Sequence, residues 1–250
     1  MRLLLAARRY PPDVWSGTET VFRNLYERAR AAHETRLVVG YCRSRSMVPA
    51  EAKAMDLRGL GKPRAWARMA KGVRDQTSEW RPDVVLSNSV EVPPTGVPTV
   101  CIIHDLNFGG TEHGVGAWAR RLFYSLRSRQ LGAIITVSEA SAEVLKQAGV
   151  PDNRIRVIHN GVDIETFCPS ETPRDSDGRV HFVYPSRILP GKAQHLAIDA
   201  IARLPKRYKE RCGLTIVGAV TDGVYLDRIR VQAYDQPVEF AVDVPEIQPY

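Results

Sequence analysis

Small, polar and basic residues collect directly after the apolar runs of this 250-residue chain. Ser16-Gly17-Thr18-Glu19 comes after Leu3-Leu4-Leu5-Ala6-Ala7, Ser87-Asn88-Ser89 after DVVL, and His104-Asp105 after TVCII. Further on, Ser138-Glu139 follows AIITV and His159-Asn160-Gly161 follows RVI. Ser186-Arg187, with Lys192 five residues later, follows HFVYP, and Gly218 ends LTIV. A glycine at the start of a helix, as at Gly17, lets backbone N–H groups approach a phosphate, and the helix dipole favours the anion. Ser16 and Glu19 also fit a capping box, Ser-x-x-Glu before an apolar helix; the two roles are compatible. His104 reads either as a histidine held by the carboxylate of Asp105 or as a donor or acceptor aimed at a substrate hydroxyl. Arg187 and Lys192 flank a strand-to-helix turn and, as a pair, could clamp a diphosphate. His33, His113 and His195 lack ligand companions, so no metal site is expected. Neither GxGxxG nor GxxxxGK[ST] occurs, which weakens a dinucleotide reading and removes the P-loop.

These residues need a scaffold that presents strand ends. The apolar runs RLLLAA, RLVVGYC, DVVLSN, TVCIIHD, AIITVS, RVIHN, VHFVYPS, LTIVGA and PVEFAV have strand length. Most are continuously apolar and rich in Val and Ile, as strands of a parallel sheet covered on both faces are. Between them, Thr18–His33, Pro63–Trp80, Gly114–Gln130, Glu139–Gln147 and Ala193–Leu204 carry helical period. Alternating strands and helices predict a doubly wound α/β fold, in which ligands sit outside the carboxyl ends of the strands. One stretch breaks the pattern: Cys168 to Val180 is polar, with two prolines, Asp175, Asp177 and Gly178. It reads as a linker at 169–179, between an N-terminal domain at 1–168 and the beginning of a second at 180–250.

A 44% hydrophobic and 25% charged composition excludes a disordered chain, and the formal net charge of +7 favours anionic partners. Nucleic acid, an anionic membrane and phosphorylated small molecules share that sign. Aromatic and basic residues are not interleaved along one strand or loop, however, so no nucleic acid is expected. Cys42, Cys101, Cys168 and Cys212 show no CxxC spacing and read as reduced thiols of a cytoplasmic protein. The segment from Gly114 sets Trp118, Leu122, Phe123 and Leu126 against Arg120, Arg121, Arg127 and Arg129. Such a helix docks its apolar side on the sheet, or rests on an anionic membrane or an acidic partner.

Taken in order, YPPDVWSGTETVFRNL, IHDL, ITVSEASAEVL, VIHNGVD and YPSRILPGKAQHLAIDAIARL resemble the large retaining group of GT-B glycosyltransferases that use nucleotide-diphospho-sugars. The tail LTIVGAV…VEFAVDVPEIQPY continues the likeness, which runs nearly end to end. The resemblance implies two Rossmann-like domains and transfer of a sugar to an acceptor hydroxyl with retained configuration, without a cofactor or metal. It implies that Gly17, beside Ser16, offers its N–H to the donor phosphate, and that His104 faces the donor sugar. It implies that Arg187 and Lys192 neutralise the departing diphosphate, with Gly218 also on the donor side. Glu19, Asn88, Asp105, Ser138 and Asn160 are left to the acceptor side or the cleft. Lys192-Ala193 stands where the family pattern has Lys-Gly, and Ser16-Gly17 where it has paired glycines.

The family also has two glutamates eight positions apart in a Gly-rich segment, expected some tens of residues beyond VEFAVDVPEIQPY. On that pattern the chain as given is expected to turn over little by itself. The alternative is a non-catalytic module of the same fold, binding with a partner. An NAD-type oxidoreductase is disfavoured, since RLVVGYCRSRS offers only basic residues where a ribose-binding acid would stand. Expected partners are a nucleotide-sugar and a carbohydrate, lipid-linked or small-molecule acceptor, with peripheral contact to the inner face of an anionic membrane.

Overall fold

The computed structural model describes residues 1–13, 16–90, 92–104, 115–165, 167–169 and 178–244. Asp105, residues 170–177 of the expected linker, and the last six residues of the chain lie outside these. The chain divides into two compact units, Met1–Gly161 and Val162–Tyr250.

In the first unit the order is β1 (Arg2–Ala7), α1 (Gly17–Ala32), β2 (Glu34–Tyr41), β3 (Lys53–Asp56), α2 (Lys62–Trp80), β4 (Val84–Ser87) and β5 (Thr99–Ile103). It continues through α3 (Val115–Ser128), β6 (Ala133–Thr136), α4 (Glu139–Gln147) and β7 (Ile155–Val157). The strands form one seven-stranded sheet in the order β3-β2-β1-β4-β5-β6-β7. Every pairing in it is parallel; Leu5 lies opposite Leu37 on one side and Leu86 on the other.

The unbroken apolar run of β1 follows from this position. Successive side chains of a strand point to opposite faces, and here both faces are covered. Leu5 and Ala7 pack with Leu37, Val39 and the α1 residues Phe22 and Tyr26. Leu4 and Ala6 pack with Val38, Val85 and the α2 residues Ala65, Met69 and Val73. Burying a side chain of this size contributes about 1.5–3 kcal/mol, so a polar substitution on either face of β1 removes core energy.

The second unit holds β8 (Val180–Pro185), α5 (Gln194–Ala202), α6 (Lys206–Lys209), β9 (Cys212–Gly218), α7 (Gly223–Gln232) and β10 (Val238–Val242). Its three parallel strands run β10-β9-β8. Central β9 is buried along its whole length, and Leu214 and Ile216 pack with Ile198, Ile201, Leu226 and Ile229 from the helices. Strand β8 departs from the expectation of strands covered on both faces: Val180, Phe182 and Val183 are exposed. It is an edge strand, paired on one side only.

Nine strands and five helices stand where the apolar patterns put them, with ends shifted by a few residues. Strand β3, KAMD, escaped because only Ala54 and Met55 of its four residues are apolar, too few for an alternation. Helix α7 carries a legible start, since Asp222 accepts a hydrogen bond from the N–H of Tyr225 at 2.9 Å.

Gly218 ends β9 at φ +150°, and a Cβ there would stand 2.2 Å from the carbonyl oxygen of Ser186. Main chain, unlike a side-chain tip, cannot step aside. Gly218→Ala is therefore expected to cost about 3 kcal/mol, the upper range for overpacking, read as a lowered urea midpoint. An unchanged midpoint would show that the two strand ends are not in contact.

Candidate active site

The first sheet changes direction between β1 and β4, since β2 and β3 build to one side of β1 and the later strands to the other. Ligands of open α/β sheets bind outside the carboxyl ends of the strands at such a point. A cleft of about 360 Å3 lies there, lined by Arg8, Arg9, Ser16, Thr18, Glu19, Asn88, Ser89, Val90, Ile103, His104 and Tyr124. It therefore draws on the ends of β1, β4 and β5, the start of α1 and one residue of α3. Ser16, Glu19, Asn88 and His104, selected from sequence, come together in it. Ser138 and Asn160 are not among its lining, and Arg187, Lys192 and Gly218 belong to the second unit.

The loop that delivers the start of α1 is pinned by a residue that the sequence motifs did not single out. Asp13 is fully buried, and its carboxylate accepts the backbone N–H groups of Cys42 at 2.7 Å and Arg43 at 2.8 Å. It joins the loop after β1 to the loop after β2. Nothing in the local sequence marks it, because its partners are about thirty residues away and are reached only through the β1–β2 pairing.

At the start of α1 the capping box is not formed. Ser16 occupies the N-cap with extended backbone, but its side chain makes no cap hydrogen bond. Instead its hydroxyl donates to the carboxylate of Glu19, which is itself buried. A hydroxyl that donates to a carboxylate three residues on is turned away from the helix N–H groups. The first-turn amides of α1 thus receive no side-chain cap. A Cβ on Gly17 would meet nothing within 4 Å, so internal packing does not demand glycine there. The open space and the uncapped amides fit an anion approaching the positive end of the dipole.

His104 follows β5 with both ring nitrogens buried and neither hydrogen-bonded to a described residue. The carboxylate of Asp105, the alternative partner read from sequence, lies outside the described residues. Burial pushes the imidazole below its ordinary value of 6.5, and the negative charge of Glu19 pulls partly the other way. A neutral imidazole with two orphaned nitrogens can donate to one hydroxyl and accept from another. Buried polar groups are nearly always paired, so two such nitrogens without a described partner fit a ligand-binding role.

Ser138, in contrast, is occupied. It caps α4, accepting from the N–H of Ser141 at 3.1 Å and donating to the hydroxyl of the same residue at 3.0 Å. Asn160 is exposed beyond β7. Arg127 was read as part of a basic face, but it turns inward: its guanidinium donates to the carbonyls of Val90 and Val92, at the edge of the cleft.

In the second unit Arg187 and Lys192 are exposed, and neither side chain pairs with a described residue. Their main chain is held firmly. The buried side chain of Gln194 donates to the carbonyl of Arg187 at 2.9 Å, and the hydroxyl of Tyr184 donates to that of Lys192 at 2.6 Å. Ala193 adopts φ 59°, ψ 31°, the left-handed conformation that favours glycine. The loop thus keeps a glycine-type geometry with alanine in place. Gly218 is accounted for by its close approach to Ser186. Among the described residues, no three His, Cys, Asp or Glu side chains are placed to hold a metal ion.

The model of Glycosyltransferase Family 4 matches residues 15–166, more than half of the chain. The chain belongs to that family, a group of nucleotide-sugar-dependent transferases. No curated protein matches it by sequence. Among solved structures it is similar to Anabaena HepE in complex with UDP and glucose, at 21% identity and a TM-score of 0.71, over 99% of this chain and 71% of that one. It is similar to the lipopolysaccharide outer core galactosyltransferase WaaB at 18% identity, TM-score 0.62, over 98% of this chain and 69% of that one. Sucrose-phosphate synthase from Thermosynechococcus elongatus matches at 12% identity, TM-score 0.72, over 98% and 71%. These likenesses show the GT-B fold.

The desolvated histidine has a consequence for pH. Its folded-state pKa lies below the unfolded value, so the unfolded chain binds the proton more tightly and stability falls as pH drops through about 6.5. An NMR titration is expected to place the His104 imidazole below 6.5, and His104→Gln to flatten the loss of stability between pH 7 and pH 5. An imidazole titrating at or above 6.5 would contradict the buried, unpaired geometry.

Proposed function

From membership of this family and from the cleft at the turning point of the first sheet, we propose that the chain serves transfer of a sugar from a nucleotide-diphospho-sugar to an acceptor hydroxyl. The observation that carries the assignment is His104, which lines a polar cleft and whose two buried ring nitrogens have no hydrogen-bond partner among the described residues. In the proposed reaction the acceptor oxygen bonds to the anomeric carbon while the bond from that carbon to the diphosphate oxygen breaks. The acceptor proton passes to the leaving phosphate, and the configuration is retained. Arg187 and Lys192 neutralise the charge that develops on the diphosphate, so the step needs no metal. The first-turn amides of α1 at Gly17 meet the donor phosphate, and neutral His104 hydrogen-bonds the donor sugar.

UDP-glucose is the first donor to test, because HepE has been solved with it. Binding of UDP to this chain is expected to weaken tenfold or more in the double variant Arg187→Gln, Lys192→Gln. Loss of one charge-assisted contact is worth about 1.5–3 kcal/mol. Unchanged affinity on calorimetry would remove the basic pair from the donor site. Transfer that appears once a segment bearing the family's glutamate pair is supplied would remove the non-catalytic alternative, whereas UDP bound with no transfer even then would favour it.

Cytoplasmic placement with peripheral membrane contact belongs to the same reading. No helix among the described residues is long and apolar enough to cross a membrane. Helix α3, however, does not dock its apolar side on the sheet: Trp118 is 64% exposed, Leu122 41% and Leu126 53%. They stand four residues apart on one face, with Arg121 and Arg129 also exposed. That pattern suits the surface of an anionic bilayer. Trp118→Ser with Leu126→Ser is expected to lower co-sedimentation with phosphatidylglycerol vesicles at least fivefold; equal sedimentation would exclude the contact.

A further inference from the structure

Two arginines in the cleft have no task in the scheme above. Arg8 and Arg9 follow β1 directly. In a continuing strand they would point to opposite faces, but the chain bends at both positions and both line the cleft. Neither side chain makes a hydrogen bond or ion pair with a described residue. Among the described residues of the lining the one carboxylate, Glu19, takes the hydroxyl of Ser16 rather than a guanidinium. Against that negative charge the described lining holds two permanent positive ones, with His104 neutral near pH 7. Arg8 is half-buried and Arg9 exposed; a guanidinium is a planar fork of donors suited to carboxylate or phosphate, and it attracts such groups most strongly where water is partly excluded.

Resting on the proposed transferase reading, we infer that the acceptor of this chain carries an anionic group, a carboxylate or a phosphate, gripped by Arg8 and Arg9 at the carboxyl end of β1. The donor diphosphate is already met by the amides at Gly17 and by Arg187 and Lys192, so this pair serves a second anion. The acceptor class is thereby narrowed from any hydroxyl-bearing molecule to an acidic or phosphorylated one. Arg8 and Arg9 become the residues that select it, while the small polar residues of the rim suit its neutral hydroxyls.

The test measures binding of glucuronate, glucose 6-phosphate, neutral glucose and UDP to the 250-residue chain by ligand-observed NMR. Glucuronate or glucose 6-phosphate is expected to bind at least tenfold more tightly than glucose. Arg8→Gln and Arg9→Gln are each expected to remove most of that preference and to leave UDP affinity unchanged. Circular dichroism confirms that each variant is folded, and the paired Arg8→Lys, Arg9→Lys variant, which keeps the charge, is expected to retain part of the preference. The tighter of the two anions identifies carboxylate or phosphate as the group recognised. No preference over glucose in the parent chain, or a preference that survives both Gln variants, overturns the inference. A loss that falls on UDP instead also overturns it, by assigning the arginines to the donor. If UDP fails to bind while an arginine-dependent anion preference remains, the donor reading falls and the anion site stands.

Discussion

The buried carboxylate of Asp13 sets the geometry of the rim. Both of its partners are backbone N–H groups of the loop after β2, and both bonds are short. Charge-assisted hydrogen bonds of this kind are worth about 1.5–3 kcal/mol each, and a buried acceptor left unpaired would cost a similar amount. The tie fixes where the loop after β1 ends, and so where Ser16 and Gly17 start α1. Arg8 and Arg9 leave the same strand on the near side of the tie. The pairing of β1 with β2 and β4 makes it possible, because that pairing brings the two loops to one edge. With both faces of β1 sealed by helices, the carboxyl edge is where polar chemistry has room.

The second unit uses the same logic at a different cost. Its strand-to-helix turn keeps Ala193 in a left-handed conformation, which costs a side-chain-bearing residue about 1–2 kcal/mol. The turn persists because Gln194 and Tyr184 hold its carbonyls from either end. Residues retained in sparsely populated conformations tend to cluster at functional sites, where surrounding contacts over-determine them. Here those contacts leave the side chains of Arg187 and Lys192 unengaged by the described residues, as the proposed contact with a transient anion requires.

Much of this was legible in sequence because burial on both faces leaves an unmistakable mark. Runs such as LLLAA and VCII mark strands covered on both faces, β8 being the exception, and the residues after them lie at a rim. His104, Asn88 and the Ser16–Glu19 stretch were found by that rule alone. What failed depended on choices between partners that a linear motif does not record. Ser-x-x-Glu permits a hydroxyl either to cap the helix or to bind the glutamate, and here it binds the glutamate. Ser138 lies at a strand end like the others, yet its hydroxyl is spent on capping α4. Asp13 has no local signature, since its role exists only once two distant loops meet. The apolar stripe of α3 suggested packing, but the period of a helix says which residues share a face, not which way that face looks. Gly218 was selected as a strand-end glycine; the reason for it, the main chain of Ser186, is a tertiary contact.

The central proposal is that this chain binds a nucleotide-sugar. Titrating the isotopically labelled chain with UDP-glucose and following amide and imidazole chemical shifts tests it residue by residue. The account predicts that the largest shifts fall on Gly17, Thr18, His104, Arg187 and Lys192, while Ser138 and the α4 amides stay still. Shifts confined to other surfaces, with the rim unmoved, would contradict it.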